Sequence, residues 1–115
     1  MNLLKKKVSK EILFSEYTKI LNGVLQLSNR ESEVFSFLLQ KDSEGATENV
    51  NTKLIRRELI KKFNISEANL SRYLGVIKDK GLMIRNKSGK WVINDILRPV
   101  IKDKIFELKF ILEVE

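Results

Sequence analysis

The side chains best placed to do chemistry in this chain lie in one segment, FNISEANLSRYLGVIKDKGLM, Phe63 to Met83. Leu70, Leu74 and Ile77 recur there at the spacing of a helix's buried stripe. At roughly 100° per residue, Ala68, Arg72, Gly75 and Asp79 point the opposite way, with Asn69 and Ser71 on the flanks. Ala68 and Gly75 are small, so the backbone of such a helix can come close to a groove wall. Arg72 has the donor fork that matches a guanine edge, Asn69 can pair with adenine, and Ser71 can reach a phosphate or a base. All three lie in the N-terminal half of the helix, where base contacts from a groove-bound helix concentrate. A plain solvated face with one arginine is the alternative reading of that helix taken alone.

The charge around it favours a polyanion. The chain of 115 residues carries a net charge of +7. Residues 53–90 hold eleven basic and three acidic side chains, a net of +8, so the whole excess lies in the third of the chain that contains this helix. Six further cations are natural phosphate contacts, which set affinity and register without reading sequence. Lys53, Arg56 and Arg57 lie near the start of the preceding helix, and Arg85, Lys87 and Lys90 frame a later turn.

Other chemistries find little support. The chain contains neither cysteine nor histidine. Disulfides, thiolate and imidazole metal sites, haem and histidine general-base catalysis therefore lack their ligands. A glycine-rich phosphate loop, an H-E-x-x-H helix and a nucleophile elbow are all missing. Glu31 and Glu33 point to different faces of one helix, and Ser88 sits between Lys87 and Lys90 on an exposed tip. Neither an enzyme nor a cofactor is expected. The apolar runs are too short to span a membrane. The start, MNLLKKKVSKEILF, has the lysines of a signal peptide without its long apolar region and cleavage site, so a cytoplasmic location is expected.

The elements that must hold these residues follow from periodicity. Leu13, Tyr17, Ile20, Leu21, Val24 and Leu25 predict a helix over about 15–26, with Ser15 as a possible cap. Ser28 and Glu31 form a capping box for a helix over about 29–41, with Val34, Phe35, Leu38 and Leu39 inward. Residues 43–51 read as a loop. Thr52 can cap KLIRRELIKKF, in which Leu54, Ile55, Leu59 and Phe63 face inward. Asn64 suits a left-handed turn, Ser66 caps the helix 67–80, and Gly81 ends it. Leu82, Ile84, Trp91 and Ile93 then alternate around NKSGK, which predicts a β-hairpin. The expected core joins Leu38, Leu54, Leu59, Leu70, Leu74, Ile77, Leu82, Ile84, Trp91 and Ile93. After Pro99, KIFELKFILEVE fits a strand through Phe106, Leu108, Phe110, Leu112 and Val114, and also a helix through Ile101, Ile105, Leu108 and Leu112; the long β-rich alternation favours the strand. The chain thus divides into an arm 1–14, a domain 15–98 and an extension 99–115.

The order helix, helix, loop, helix, tight turn, helix, hairpin resembles the winged helix-turn-helix superfamily. ISEANLSRYLGVIKDKGLMIRNKSGKWVI looks like its run of recognition helix, exit and wing, closest to MarR-type regulators and small phage-encoded winged-helix proteins. The likeness covers 52–94 well and 15–41 loosely. It departs at Asn64, where many such turns have glycine, and in the short wing. LSNRESEVFSFLL also resembles the first helix of LuxR-type domains, which lack a wing. The winged-helix resemblance implies a mainly α fold with a small β-hairpin (α+β): four helices, a wing and a C-terminal extension. It implies binding of double-stranded DNA by a transcriptional regulator or replication-associated factor, with helix 67–80 in the major groove and the wing 85–90 on the backbone. Winged-helix domains also serve as interaction or structural modules in larger, including viral, assemblies. The apolar terminal segments suit a homodimer or another protein subunit under either reading.

Overall fold

The structure is a computed structural model that describes residues 9–99, 101, 102, 105, 106 and 114. Four helices come first: α1 (Lys10–Leu25), α2 (Asn29–Ser43), α3 (Lys53–Phe63) and α4 (Glu67–Asp79). An antiparallel hairpin follows, β1 (Met83–Arg85) with β2 (Trp91–Ile93), then a 3-10 turn at Asp95–Leu97. A second short antiparallel pair joins β3 (Ile101–Lys102) to β4 (Ile105–Phe106). The architecture is therefore mainly helical with small antiparallel pairs, an α+β arrangement.

Local chemistry sets most boundaries. At α2 the Ser28 hydroxyl accepts from Glu31 N, and the Glu31 carboxylate accepts from Ser28 N at 2.9 Å, which completes the capping box. Thr52 and Ser66 cap α3 and α4 by accepting from Ile55 N and Asn69 N. Asn64 ends α3 with φ near 50° and its N–H on Ile60 O. Helix α4 stops in a Schellman motif: Gly81, at φ 76°, donates to Lys78 O, and Leu82 donates to Ile77 O. The bend between α1 and α2 is held by Asn22, whose amide both accepts from Leu27 N and donates to Leu27 O.

Helix α2 lies at the centre. Val34, Phe35, Leu38 and Leu39 are buried on it, and α1, α3, α4 and β2 all pack against it. Leu59, Leu70, Leu74, Ile77, Met83 and Ile93 close the core, and Val50 joins them from the loop 43–51. Val50 N–H donates to Trp91 O at 3.0 Å, so the end of that loop lies against β2 as a single-bond extension of the hairpin.

Four expectations are corrected. Helix α1 begins at Lys10, and Ser15 lies within it, because Phe14 continues the inward stripe of Tyr17 and Leu21. Leu54 is 66% exposed, since Ile55 and Leu59 set the inward direction of α3 and Leu54 stands a full step of about 100° off it. Ile84 is 41% exposed and Met83 takes its inward place. Leu82 is consumed in closing the end of α4, so pairing starts at Met83, opposite Ile93, and the strand is read one residue out of phase. Trp91 lies at the outer end of its strand and is half-buried against the core rather than within it. In the extension, the described residues 101, 102, 105 and 106 are strand; the alternation expected beyond Phe106, like the arm before Ser9, falls outside the described residues apart from Val114.

Two long-range contacts tie the segment after the hairpin to the first helices. Tyr17 Oη donates to Leu97 O at 2.7 Å. Arg98 reaches the buried carboxylate of Asp42 through Nε and Nη2, both at 3.0 Å, and also pairs with Asp95. Asp42 sits near the C-terminal end of α2, where the helix dipole opposes a negative charge, so Arg98 supplies the compensation. Arg98→Met leaves that carboxylate unpaired. The expected loss in chemical unfolding is about 2–3 kcal/mol, below the roughly 3–5 of a fully buried pair, because the Arg98 side chain is 32% exposed. Adding Asp42→Leu to the same chain restores most of it.

Candidate nucleic-acid interface

Helix α4 buries Leu70, Leu74 and Ile77 and leaves Asn69, Ser71 and Arg72 exposed, as the spacing predicts. The Arg72 guanidinium lies 5.4 Å from the centre of the Tyr73 ring and has no carboxylate partner among the described residues. Lys53, Arg57, Lys87 and Lys90 are likewise exposed, with no ion pair among the described residues. The turn carrying Lys87 and Lys90 is set by Asn86, whose side-chain oxygen accepts from Ser88 N and Lys90 N. Asn86 Nδ2 also donates to Glu48 O, which ties the turn back to the loop before α3.

Arg56 behaves differently from the other basic residues of α3. Its Nε donates to Glu67 Oε1 at 3.0 Å, and Nη2 donates to the same oxygen and to Ser71 Oγ at 2.9 Å. Nη1 donates to Asn51 Oδ1 at 3.2 Å. The guanidinium thus joins the loop before α3 to the first two turns of α4. Ser71 is its partner, so two residues expected to meet nucleic acid separately are joined in one cluster.

A second group forms where α4 meets the hairpin. Arg85 and Trp91 face each other across the two strands. The Arg85 guanidinium stands 5.1 Å from the centre of the Trp91 ring, and Lys78 Nζ stands 4.5 Å from it. Partial burial pushes the Lys78 pKa below the ordinary lysine value of 10.5, and the charges of Arg56 and then Arg85 push the same way. The electron-rich ring face offsets part of that cost. Lys78 thus lies close enough to a cation of α3 and a cation of the hairpin to be repelled by both, and the one carboxylate at hand, Glu67, is paired to Arg56. Among the described residues, no side-chain hydrogen bond, ion pair or ring contact joins Lys53, Arg57, Lys87 or Lys90 to this group.

Lys78, Trp91 and Glu67 were not among the expected site residues. Glu67, Ser71 and Lys78 are spaced i, i+4 and i+11, one stripe of α4, and that spacing was a usable signal. The place of Trp91 depends on the strand register, which the alternation alone put out of phase.

The remaining surface offers less. A cleft of about 480 Å³ between α1, α2 and the end of α3 is lined by Phe14, Phe37, Phe63 and Lys62 and shares no residue with the basic groups. Among the described residues, no group of three or more acidic side chains could hold a metal ion, and no helix is long and apolar enough to cross a membrane. Comparison with known proteins adds no relative: no family model, no curated protein and no solved structure matches the chain.

The depressed pKa of Lys78 has a definite sign. A lysine that loses its proton more easily when folded destabilises the fold while it is charged, and the penalty fades as pH rises from the lowered folded value to the unfolded value of 10.5, above which it is gone. Lys78→Met should therefore raise the melting temperature at pH 7, with a gain that shrinks in alkaline solution. Thermal unfolding across that range checks it; a loss of stability at neutral pH would mean that the ring contact outweighs burial and repulsion.

Proposed function

We propose that the chain is a winged helix-turn-helix protein that binds double-stranded DNA inside the cell, as a transcriptional regulator or replication-associated factor. In this reading α4 enters the major groove and the hairpin turn 85–90 rests on the backbone. The observation that carries it is Lys78 and Arg85 held over the Trp91 ring, with Arg56 of α3 close enough for its charge to act on Lys78. Like charges gathered at a cost to the fold are explained by a polyanion that neutralises them. The exposed Asn69 and Arg72 on the neighbouring turns of α4 supply donors suited to base edges. The element order, and the bond from Val50 to the hairpin, suit a helix, tight turn, helix and wing arrangement. In the free protein Arg56 and Ser71 brace α4 against α3, while Lys53, Arg57, Arg85, Lys87 and Lys90 are the phosphate contacts that need no such release.

A second reading rests on α1. Ile12, Ile20 and Val24 are exposed on it, and Ile96 is exposed after the hairpin. Exposed apolar side chains of this kind suit a protein partner, either a second copy in a homodimer or a subunit of a larger assembly. If that is the whole function, the basic surface meets an acidic protein instead of DNA.

Binding to duplex DNA as a function of salt separates the two. Affinity should fall steeply as salt rises, because each neutralised phosphate releases counterions. Arg57→Ala or Lys87→Ala should weaken binding on every sequence alike and lower the salt slope by roughly one. Arg72→Ala should cost about 1–3 kcal/mol on the preferred site and little on random DNA. Equal losses on all sequences would remove base readout, and no salt-sensitive binding by the wild type would favour the protein-partner reading.

A further inference from the structure

We propose that Glu67 is a specificity-determining residue of the DNA surface: it holds Arg56 in the free protein, gives it up to a phosphate on binding, and then reads the amino edge of a base. This rests on the duplex-DNA reading above. Three observations lead to it.

The first is the state of Arg56. A guanidinium carries five N–H donors, and four hydrogen bonds to Glu67, Ser71 and Asn51 leave one of them, on Nη1, for any other partner. The fork of paired donors that grips a phosphate is therefore occupied. Arg56 can offer it only if Glu67 lets go.

The second is the weakness of that hold. The Glu67 side chain is 61% exposed against 21% for Arg56. An exposed carboxylate is already well solvated, so its pairing stabilises little and exchanges readily for a phosphate.

The third is where Glu67 stands. It is the first residue of α4, two positions before Asn69 and one turn before Ser71, on the end of the helix that faces the groove in the proposed complex. A carboxylate there cannot take a hydrogen bond from a phosphate or from the N7 and O6 acceptors of guanine. It can accept from the amino group of cytosine or adenine. Where a site presents such a group, the released carboxylate gains a partner. Where it does not, a desolvated negative charge is left beside the backbone, and binding is penalised. Discrimination then comes from the repulsive term as much as from the attractive one.

The test compares wild type, Glu67→Ala, Arg56→Ala and the double variant on a random-sequence duplex, with binding sites selected in vitro for wild type and Glu67→Ala. Circular dichroism confirms that each is folded. Glu67→Ala should tighten binding to random duplex by up to about fivefold, the upper end for the release of an exposed pair. The gain should shrink in the Arg56→Ala background, because it arises from the freed guanidinium. The sites selected by Glu67→Ala should lose one position at which the wild type requires cytosine or adenine. Weaker binding by Glu67→Ala on every sequence would mean that Glu67 merely fixes Arg56, and would overturn the proposal. So would an equal gain with and without Arg56, which signals plain repulsion of the backbone, or an unchanged selected site. A wild type without salt-sensitive DNA binding removes the DNA reading itself, and this inference with it.

Discussion

Helix α2 buries Val34, Phe35, Leu38 and Leu39, and the other three helices and β2 take their positions from that surface. A helix with so wide an apolar face leaves no direction free for solvent on its inner side. Its neighbours must cover it, and each contributes one narrow stripe: Phe14, Tyr17 and Leu21 from α1, Ile55 and Leu59 from α3, and Leu70, Leu74 and Ile77 from α4. The outer faces of α3 and α4 are then released from packing. All the polar residues considered for binding lie on these outer faces or on the hairpin beyond them. The capping box at Ser28 and Glu31 matters for the same reason, since it sets where the central helix begins.

The basic surface shows a division of labour. Arg56 braces two helices, Lys78 and Arg85 stand over an aromatic ring, and Arg72 is left open. Trp91 serves both sides of this arrangement: its body packs against the core, and its ring carries two cations. Its carbonyl also receives the Val50 N–H, so one residue links the core, the hairpin and the loop before α3. Arg56, Lys78 and Arg85 are therefore ordered by their neighbours, unlike the exposed Lys53, Arg57, Lys87 and Lys90. In the proposed complex those three would lose less side-chain entropy on meeting an anion.

How much of this could be read in advance depended on the range of the interaction. Caps are decided within one turn, so Ser28, Thr52, Ser66, Asn64 and Gly81 were legible from their own neighbours. The buried stripe of α4 was legible because Leu70, Leu74 and Ile77 repeat at helical spacing and nothing else competes for them. Leu54 and Ile84 were misread because each is apolar and adjacent to the true inward residue, so composition favoured them while direction did not. The start of α1 was misread because Ser15 looks like a cap, although the inward stripe already includes Phe14. On the candidate surface, the exposure of Asn69, Ser71 and Arg72 was foreseeable from α4 alone. The tie of Arg56 to Glu67 and Ser71 was not, since it depends on how α3 and α4 cross. The approach of Lys78 to Trp91 depends on the hairpin register in the same way.

The bonds from Tyr17 to Leu97 and from Asp42 to Arg98 join residues 80 and 56 positions apart. During synthesis, α1 and α2 emerge long before either partner exists. Until Arg98 clears the ribosome, the Asp42 carboxylate lacks the cation that compensates its burial, and the inner side of α2 lacks α4 and β2 to cover it. The inner side of α2 thus lacks its full cover until nearly the whole described chain has been made.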